Sequence, residues 1–166
     1  MDEVFSITGG WLLLDKSIIS NTELVYTQLR CIKTGFTKKY KNNTTACLLV
    51  STTTENYASA ESACKASGTR LYTVKTQDKL DILLTITRFL NISFWIGLDD
   101  RANEGLMKWS DGTALDATWG NIILPSSNKG NQDLEDCVEY NPLLYPFNDN
   151  DCSLKNRYIC EMTTAS

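Results

Sequence analysis

Phe94-Trp95-Ile96-Gly97-Leu98 is a five-residue apolar and aromatic run that ends at once in Asp99-Asp100. It reads as a strand, and so do Met107 to Ser110, Cys137 to Tyr140 and Tyr158 to Cys160, short runs divided by Gly, Asn, Asp and Pro. Ahead of them the pattern is helical. Thr52-Thr53-Thr54-Glu55 has the spacing of a capping box, with Tyr57, Ala60 and Cys64 following at helical spacing until Gly68 stops the helix. A second helix is expected from about Gln77 to Leu90, capped by Thr76, with Leu80, Leu83, Leu84, Thr87 and Leu90 as its inner stripe. The residues from Ser110 to Leu134 show no periodicity. So long an irregular segment is where a site is expected.

Composition removes whole classes of function. The 166 residues hold 16 Lys and Arg against 20 Asp and Glu, a net charge of -4, which offers no footprint for nucleic acid or for an anionic membrane surface. With no histidine, the chain cannot build a Ser-His-Asp or Cys-His catalytic unit, nor a Cys/His zinc site. No run is long enough to span a membrane. The start, Met1-Asp2-Glu3-Val4, lacks the basic and apolar segments of a secretory signal, so the chain is expected to be a trimmed piece with an added Met1. Six cysteines, none in a Cys-x-x-Cys pair, favour three disulfides and an extracellular setting, secreted or as the ectodomain of a larger membrane protein. Acceptor triplets for N-linked sugar at Asn42, Asn43 and Asn91 agree with that setting. The Thr/Asn/Lys-rich piece from Thr34 to Thr45 looks like a linker, and the chain divides into an extension at 1–30, a domain at 31–162 and a tail at 163–166.

Nine short elements of sequence then fall in one order. They are Cys64, Gly68-Thr69-Arg70-Leu71, Phe94 to Leu98, Trp109-Ser110-Asp111-Gly112, Trp119-Gly120, Glu135-Asp136-Cys137-Val138, Phe147-Asn148-Asp149, Cys152 and Tyr158-Ile159-Cys160-Glu161. Taken together, from about Cys47 to Glu161, they resemble the long form of the C-type lectin-like domain. The resemblance implies an α+β double-loop fold with two helices, two small antiparallel sheets and a long loop that carries the ligand site. It also implies the pairs Cys64–Cys160 and Cys137–Cys152, and, for the two remaining cysteines, an amino-terminal pair Cys31–Cys47. Residues Trp11 to Arg30 have no counterpart in the minimal domain; an extra strand or the tail of a neighbouring module fits them.

The family's best-known chemistry holds sugar hydroxyls on Ca²⁺, an ion that takes about 6 to 8 oxygen ligands. By the resemblance, Glu135, Asn148 and Asp149 are the primary cage, and Asp149 also offers its backbone carbonyl. A second, structural position falls on Asp100, Glu104 and Asp136. These carboxylates, with Asp99, would repel one another without a cation, the alternative being a solvated acidic turn. Trp119 or Tyr145 is the candidate face for stacking on sugar. The departure lies in the sugar-selecting triplet, where Leu124-Pro125-Ser126 stands in place of two amide or carboxylate residues and a central proline expected to be cis. A second alignment, onto Asn131-Gln132-Asp133, lacks the proline.

Two functions follow from these residues: calcium-assisted carbohydrate or glycoprotein binding, or recognition of a protein surface with calcium structural or absent. Leu124 and Leu143-Leu144-Tyr145-Pro146-Phe147 favour the second if they are exposed. An enzyme using Glu135 and Asp149 as acid and base is disfavoured, because in this family such carboxylates bind metal and no sequence feature marks a substrate cleft.

Overall fold

The computed structural model describes residues 4–7, 10–13, 31, 35–124, 135–143 and 147–162. The strands are β1 (Val4–Ile7), β2 (Gly10–Leu13), β3 (Thr37–Lys41), β4 (Thr44–Val50), β5 (Thr69–Leu71), β6 (Phe94–Asp99), β7 (Lys108–Trp109), β8 (Cys137–Tyr140), β9 (Phe147–Asn150) and β10 (Arg157–Met162). Helices α1 (Tyr57–Ala66), α2 (Gln77–Thr87) and α3 (Ala117–Ile123) pack among them. Among the described residues the first two strands pair only with each other, antiparallel. The rest form one sheet path, β3-β4-β10-β6-β8-β9, with β5 also on β10 and β7 on β6.

The expected strands are present, and the structure adds four in the body of the domain. The linker-like segment is a hairpin, β3 against β4, turning at Asn42 with a left-handed φ of 49° that Asn tolerates. Apart from half-buried Lys39, β3 is an edge strand open to water, so its polar residues give no inward period. Between Ser110 and Leu134 the unexpected element is α3, whose Asp116 side chain accepts from the Trp119 amide. The cap of α1 is Asn56 rather than the Thr52–Glu55 box, because the Glu55 backbone pairs with Asn156 across the chain. Its inner residues Tyr57, Ala60 and Cys64 are buried as expected. Helix α2 starts at Gln77 under a Thr76 cap, but it buries Ile82, Leu83 and Thr87 and leaves Leu84 at 42% exposure.

Strand β6 is buried on both sides, which explains its unbroken apolar run. Phe94, Ile96 and Leu98 belong to the larger core with Tyr72, Val74, Leu83 and Ile159. Trp95 belongs to a smaller core under α1, edge-on to Tyr57 with ring centroids 5.5 Å apart. Strand β10 serves both β6 and β5 along one edge: Arg157 and Tyr158 pair parallel with β6, and Cys160 to Met162 pair antiparallel with β5. Where these strands diverge, Gly97 lets Leu71 and Ser110 close in. A Cβ there would lie 2.4 Å from Ser110 Oγ and 2.7 Å from the Leu71 carbonyl, itself the acceptor of the Ser110 hydroxyl. Gly97→Ala should therefore cost about 2 kcal/mol by overpacking, checked by denaturant titration; an unchanged midpoint would mean that β5 and β7 can move apart freely.

The three disulfides are Cys31–Cys47, Cys64–Cys160 and Cys137–Cys152, and among the described residues no cysteine is free. The second ties α1 to β10, and the third ties β8 to the segment after β9. A buried carboxylate completes the frame: Glu161 on β10 accepts from Arg70 Nε at 3.0 Å, Lys79 Nζ at 2.7 Å and the Thr73 hydroxyl at 2.6 Å. Its desolvation is offset because every partner is a donor and two are cations.

Candidate cation site

The site is built where β6 ends. The chain turns back on itself after Asp99: the Asn103 amide donates to the Asp100 carbonyl at 2.9 Å, and the Gly105 amide donates to Asp100 Oδ2 at 2.9 Å. Gly105 holds φ at 76°, a conformation that costs glycine little. The Asp100 amide in turn donates to the Asp136 carbonyl at 3.0 Å, which fastens this turn to the residues leading into β8. Asp100, Glu104 and Asp136 are thereby brought together, with one carboxylate oxygen from each lying within 4.8 Å of the others.

Asp100 is 5% exposed, and among the described residues its Oδ1 is the buried side-chain oxygen left without a hydrogen bond. Burial raises its pKa, the Asp136 and Asp99 charges raise it further, and the Gly105 amide opposes them. Leaving such an oxygen unpaired costs about 1 to 3 kcal/mol. The donor set fits a hard divalent cation: oxygens held at about 2.3 to 2.6 Å from one Ca²⁺ can lie no more than about 5 Å apart, and these three satisfy that bound.

Asp99 does not join the cluster. Its carboxylate accepts from Arg101 Nε at 2.9 Å and from the Tyr57 hydroxyl at 3.1 Å, and Arg101 also lies over the Tyr57 ring. Its charge is thus compensated on the α1 side, which is why the expected crowd of acids is smaller in the structure. Glu135 is half-buried immediately before Asp136. Asn148 and Asp149 lie in β9, paired with Glu139 and Val138, and the Cys137–Asn150 pair sets the far end of β9 beside the Glu135–Asp136 entrance to β8. The end of the Asn148 side chain stands 2.7 Å from the Asp149 carbonyl, as an Nδ2–H donor in the present rotamer. Turning the amide about χ2 puts Oδ1 in that place.

Burial bears on two assignments. Trp119 is half-buried against the larger core, and its indole N–H donates to the Val74 carbonyl, which anchors α3. Leu124 is 2% exposed in the same core and donates its amide to the Gly120 carbonyl as the cap of α3. It is neither a ligand position nor an interface residue. Phe147 is also buried at 1%, whereas Leu143 is 61% exposed. Pro125, Ser126, the Asn131-Gln132-Asp133 alternative and Tyr145 lie outside the described residues.

The model of the lectin C-type domain matches residues 53–162. The chain belongs to the C-type lectin family. Among curated relatives, the CD209 antigen of Homo sapiens is 31% identical over 127 residues, covering 72% of this chain and 29% of its own length. C-type lectin domain family 4 member M of Hylobates lar is 29% identical over 119 residues, again 72% of this chain and 29% of the relative. This C-type lectin chain therefore spans less than a third of those relatives. Among solved structures, the mouse scavenger receptor C-type lectin carbohydrate-recognition domain superposes with a TM-score of 0.63 at 26% identity, over 76% of this chain and 95% of that one. Herring type II antifreeze protein shares the fold at a TM-score of 0.62 and 21% identity, over 74% and 94%. One fold thus serves distinct tasks, and the task has to be argued from the site.

The sequence reading of this lectin domain missed Gly105 and Arg101. Gly105 had a signal, since a glycine five residues after Asp100 can close a turn on it. The Arg101–Tyr57 contact joins residues 44 apart and leaves no local trace.

Proposed function

We propose that the chain is an extracellular recognition module that holds calcium through Asp100, Glu104 and Asp136 and binds carbohydrate at Glu135, Asn148 and Asp149. The observation that carries this is the convergence of three carboxylates around a buried Asp100 oxygen without a partner. Calcium bound there offsets the acidic charge and, at the neighbouring set, supplies coordination positions for sugar hydroxyls. The chain's own part is to present acceptors: the Glu135 carboxylate, the Asn148 side chain, and both the carboxylate and the carbonyl of Asp149. The β8–β9 pairing and the Cys137–Cys152 bond keep those acceptors in register before ligand arrives. Three disulfides support the extracellular setting, and among the described residues no helix is long and apolar enough to cross a membrane.

The mouse scavenger receptor C-type lectin domain is a carbohydrate-recognition domain, and carrying that activity here has to allow for Leu124. With that position given to the core, selectivity comes from the remaining acceptors, and single-site affinity should be on the order of millimolar, about -4 kcal/mol. Useful strength then requires several linked copies. Glu135→Gln or Asp149→Asn should weaken binding on a glycan array at least tenfold, with the fold intact by circular dichroism, and chelator should have the same effect. Glycan binding that survives both substitutions and chelation would remove this assignment.

One observation favours protein recognition instead. A groove of about 390 Å³ runs beside the cation site between Leu106, Met107, Leu115, Ala117 and Gly120, and Leu106 and Ile122 are 62% and 56% exposed nearby in the chain. A protein ligand bound with or without chelator, and lost on Leu106→Ser, would select that reading.

A further inference from the structure

We infer that the chain carries N-linked oligosaccharide on Asn43 and Asn91 and leaves Asn42 free, a modification that rests on the extracellular reading above. Transfer needs an Asn-x-Ser/Thr triplet with x other than Pro, and the chain has three: Asn42-Asn43-Thr44, Asn43-Thr44-Thr45 and Asn91-Ile92-Ser93. The first two overlap in the β3–β4 turn, and the structure separates them. Asn42 is the left-handed turn residue, and its Nδ2 donates to Asp78 Oδ1 at 2.6 Å. The Thr44 hydroxyl donates to Asp78 Oδ2 at 3.1 Å. Both polar groups of the first triplet are therefore committed to one carboxylate in the first turn of α2. Asn43 and Thr45 are exposed. An oligosaccharide on Asn42 must crowd that turn of α2 and compete with the Asp78 contact, whereas on Asn43 it meets solvent.

Asn91 is exposed in the link between α2 and β6. The Ser93 hydroxyl oxygen of its triplet accepts from Asn141 Nδ2 at 3.0 Å, which fixes the link against the segment after β8. Its position has a consequence for function. Asn91 precedes β6 and Asp100 follows it, so the length of a six-residue strand, roughly 20 Å, separates them. A sugar chain on Asn91 starts next in the chain to Ile92 and Ser93, which line a polar hollow with Thr52, Thr54, Lys155 and Arg157, at the end of β6 away from the cation site. The chemistry is a group transfer without redox change. The Asn Nδ2–C1 bond forms, the bond from C1 to a lipid diphosphate oxygen breaks, the lipid diphosphate leaves, and the amide gives up one proton.

The test uses the full chain secreted from mammalian cells behind a cleavable leader. Treatment with a peptide amidase that removes N-linked glycan converts each occupied Asn to Asp, and peptide mass mapping locates the change. Conversion is expected at positions 43 and 91. Thr45→Ala should abolish it at 43, Ser93→Ala should abolish it at 91, and Thr44→Ala, which removes only the Asn42 triplet, should abolish neither. A secreted chain with its three disulfides formed and no conversion would overturn the proposal while leaving the extracellular reading in place. Conversion at 42 that Thr44→Ala removes would overturn the choice between the overlapping triplets. A chain that enters the secretory route but cannot form its disulfides would overturn both readings together.

Discussion

Millimolar calcium should raise the melting temperature of the wild-type chain, and Asp100→Asn should reverse the order of stability between chelator and calcium. A cation that binds only the folded state adds about 2.7 kcal/mol at a hundredfold excess over its dissociation constant, equivalent to roughly 5 to 11 °C for a chain of this size. The reversal follows from the sign of the Asp100 shift. Its folded pKa is raised, first by burial and then by Asp136 and Asp99, so without a cation the folded state loses stability as pH rises through that value. At pH 7 the ionised Asp100 is a net cost. Asparagine keeps the acceptor for the Gly105 amide, removes the charge, and offers an Nδ2 donor where the unpaired oxygen now faces Glu104 and Asp136. In chelator Asp100→Asn should therefore melt at or above the wild type; in calcium it should melt below it. Glu104→Gln should have a smaller effect, because Glu104 is exposed. A wild-type melting curve unchanged from chelator to about 10 mM calcium, a level above even weak extracellular sites, with Asp100→Asn destabilising in both, would make this carboxylate only a local acceptor for Gly105.

The clustering of Asp100, Glu104 and Asp136 was legible through the family resemblance, which sets these residues beside strands that the sequence announces. Asp100 and Glu104 follow the Phe94–Leu98 run directly, and Asp136 precedes Cys137. The segments that escaped have their stability supplied from a distance. Strand β3 is a polar edge strand read as a linker, because its pairing with β4 satisfies the backbone whatever the side chains are. Thr52–Glu55 has the right letters for a helix cap, but the Glu55 backbone bridges to Asn156, and its carbonyl takes the Trp95 indole N–H at 2.9 Å. On α2 the expected stripe meets the core at Leu80, Leu83, Thr87 and Leu90 and fails at Leu84 alone, while Ile82 and Ile86 also pack there. Ile82 faces the core and Leu84 faces water, and both are equally apolar in the sequence. The disulfide pairs were legible through the family resemblance alone, since six cysteines by themselves allow 15 connectivities. Asp116 did carry a local signal, as an acidic residue three before Trp119, but without a run of apolar spacing around it α3 read as loop.

Leu124 gives the sharpest separation between family position and physical environment. If it occupied the ligand position that the alignment suggests, Leu124→Glu would add a carboxylate to a solvent-facing calcium cage and strengthen both metal and sugar binding. The structure leads to the opposite expectation. Leu124 is 2% exposed among Ile123, Trp109 and their core neighbours, and it ends α3 through its amide bond to Gly120. Removing a buried leucine costs about 2 to 5 kcal/mol before any charge is considered. A carboxylate in its place must either be protonated or pull the end of α3 into water. The expected loss is about 4 kcal/mol or more, a large part of the 5 to 15 kcal/mol typical of a domain. Urea titration of Leu124→Glu beside Leu124→Met measures this, the methionine costing about 1 kcal/mol because it preserves volume. The Leu124→Glu deficit should shrink at low pH, where the new carboxyl is neutral. A Leu124→Glu protein with an unchanged urea midpoint and tighter calcium binding would return position 124 to the ligand set and put the end of α3 at the surface.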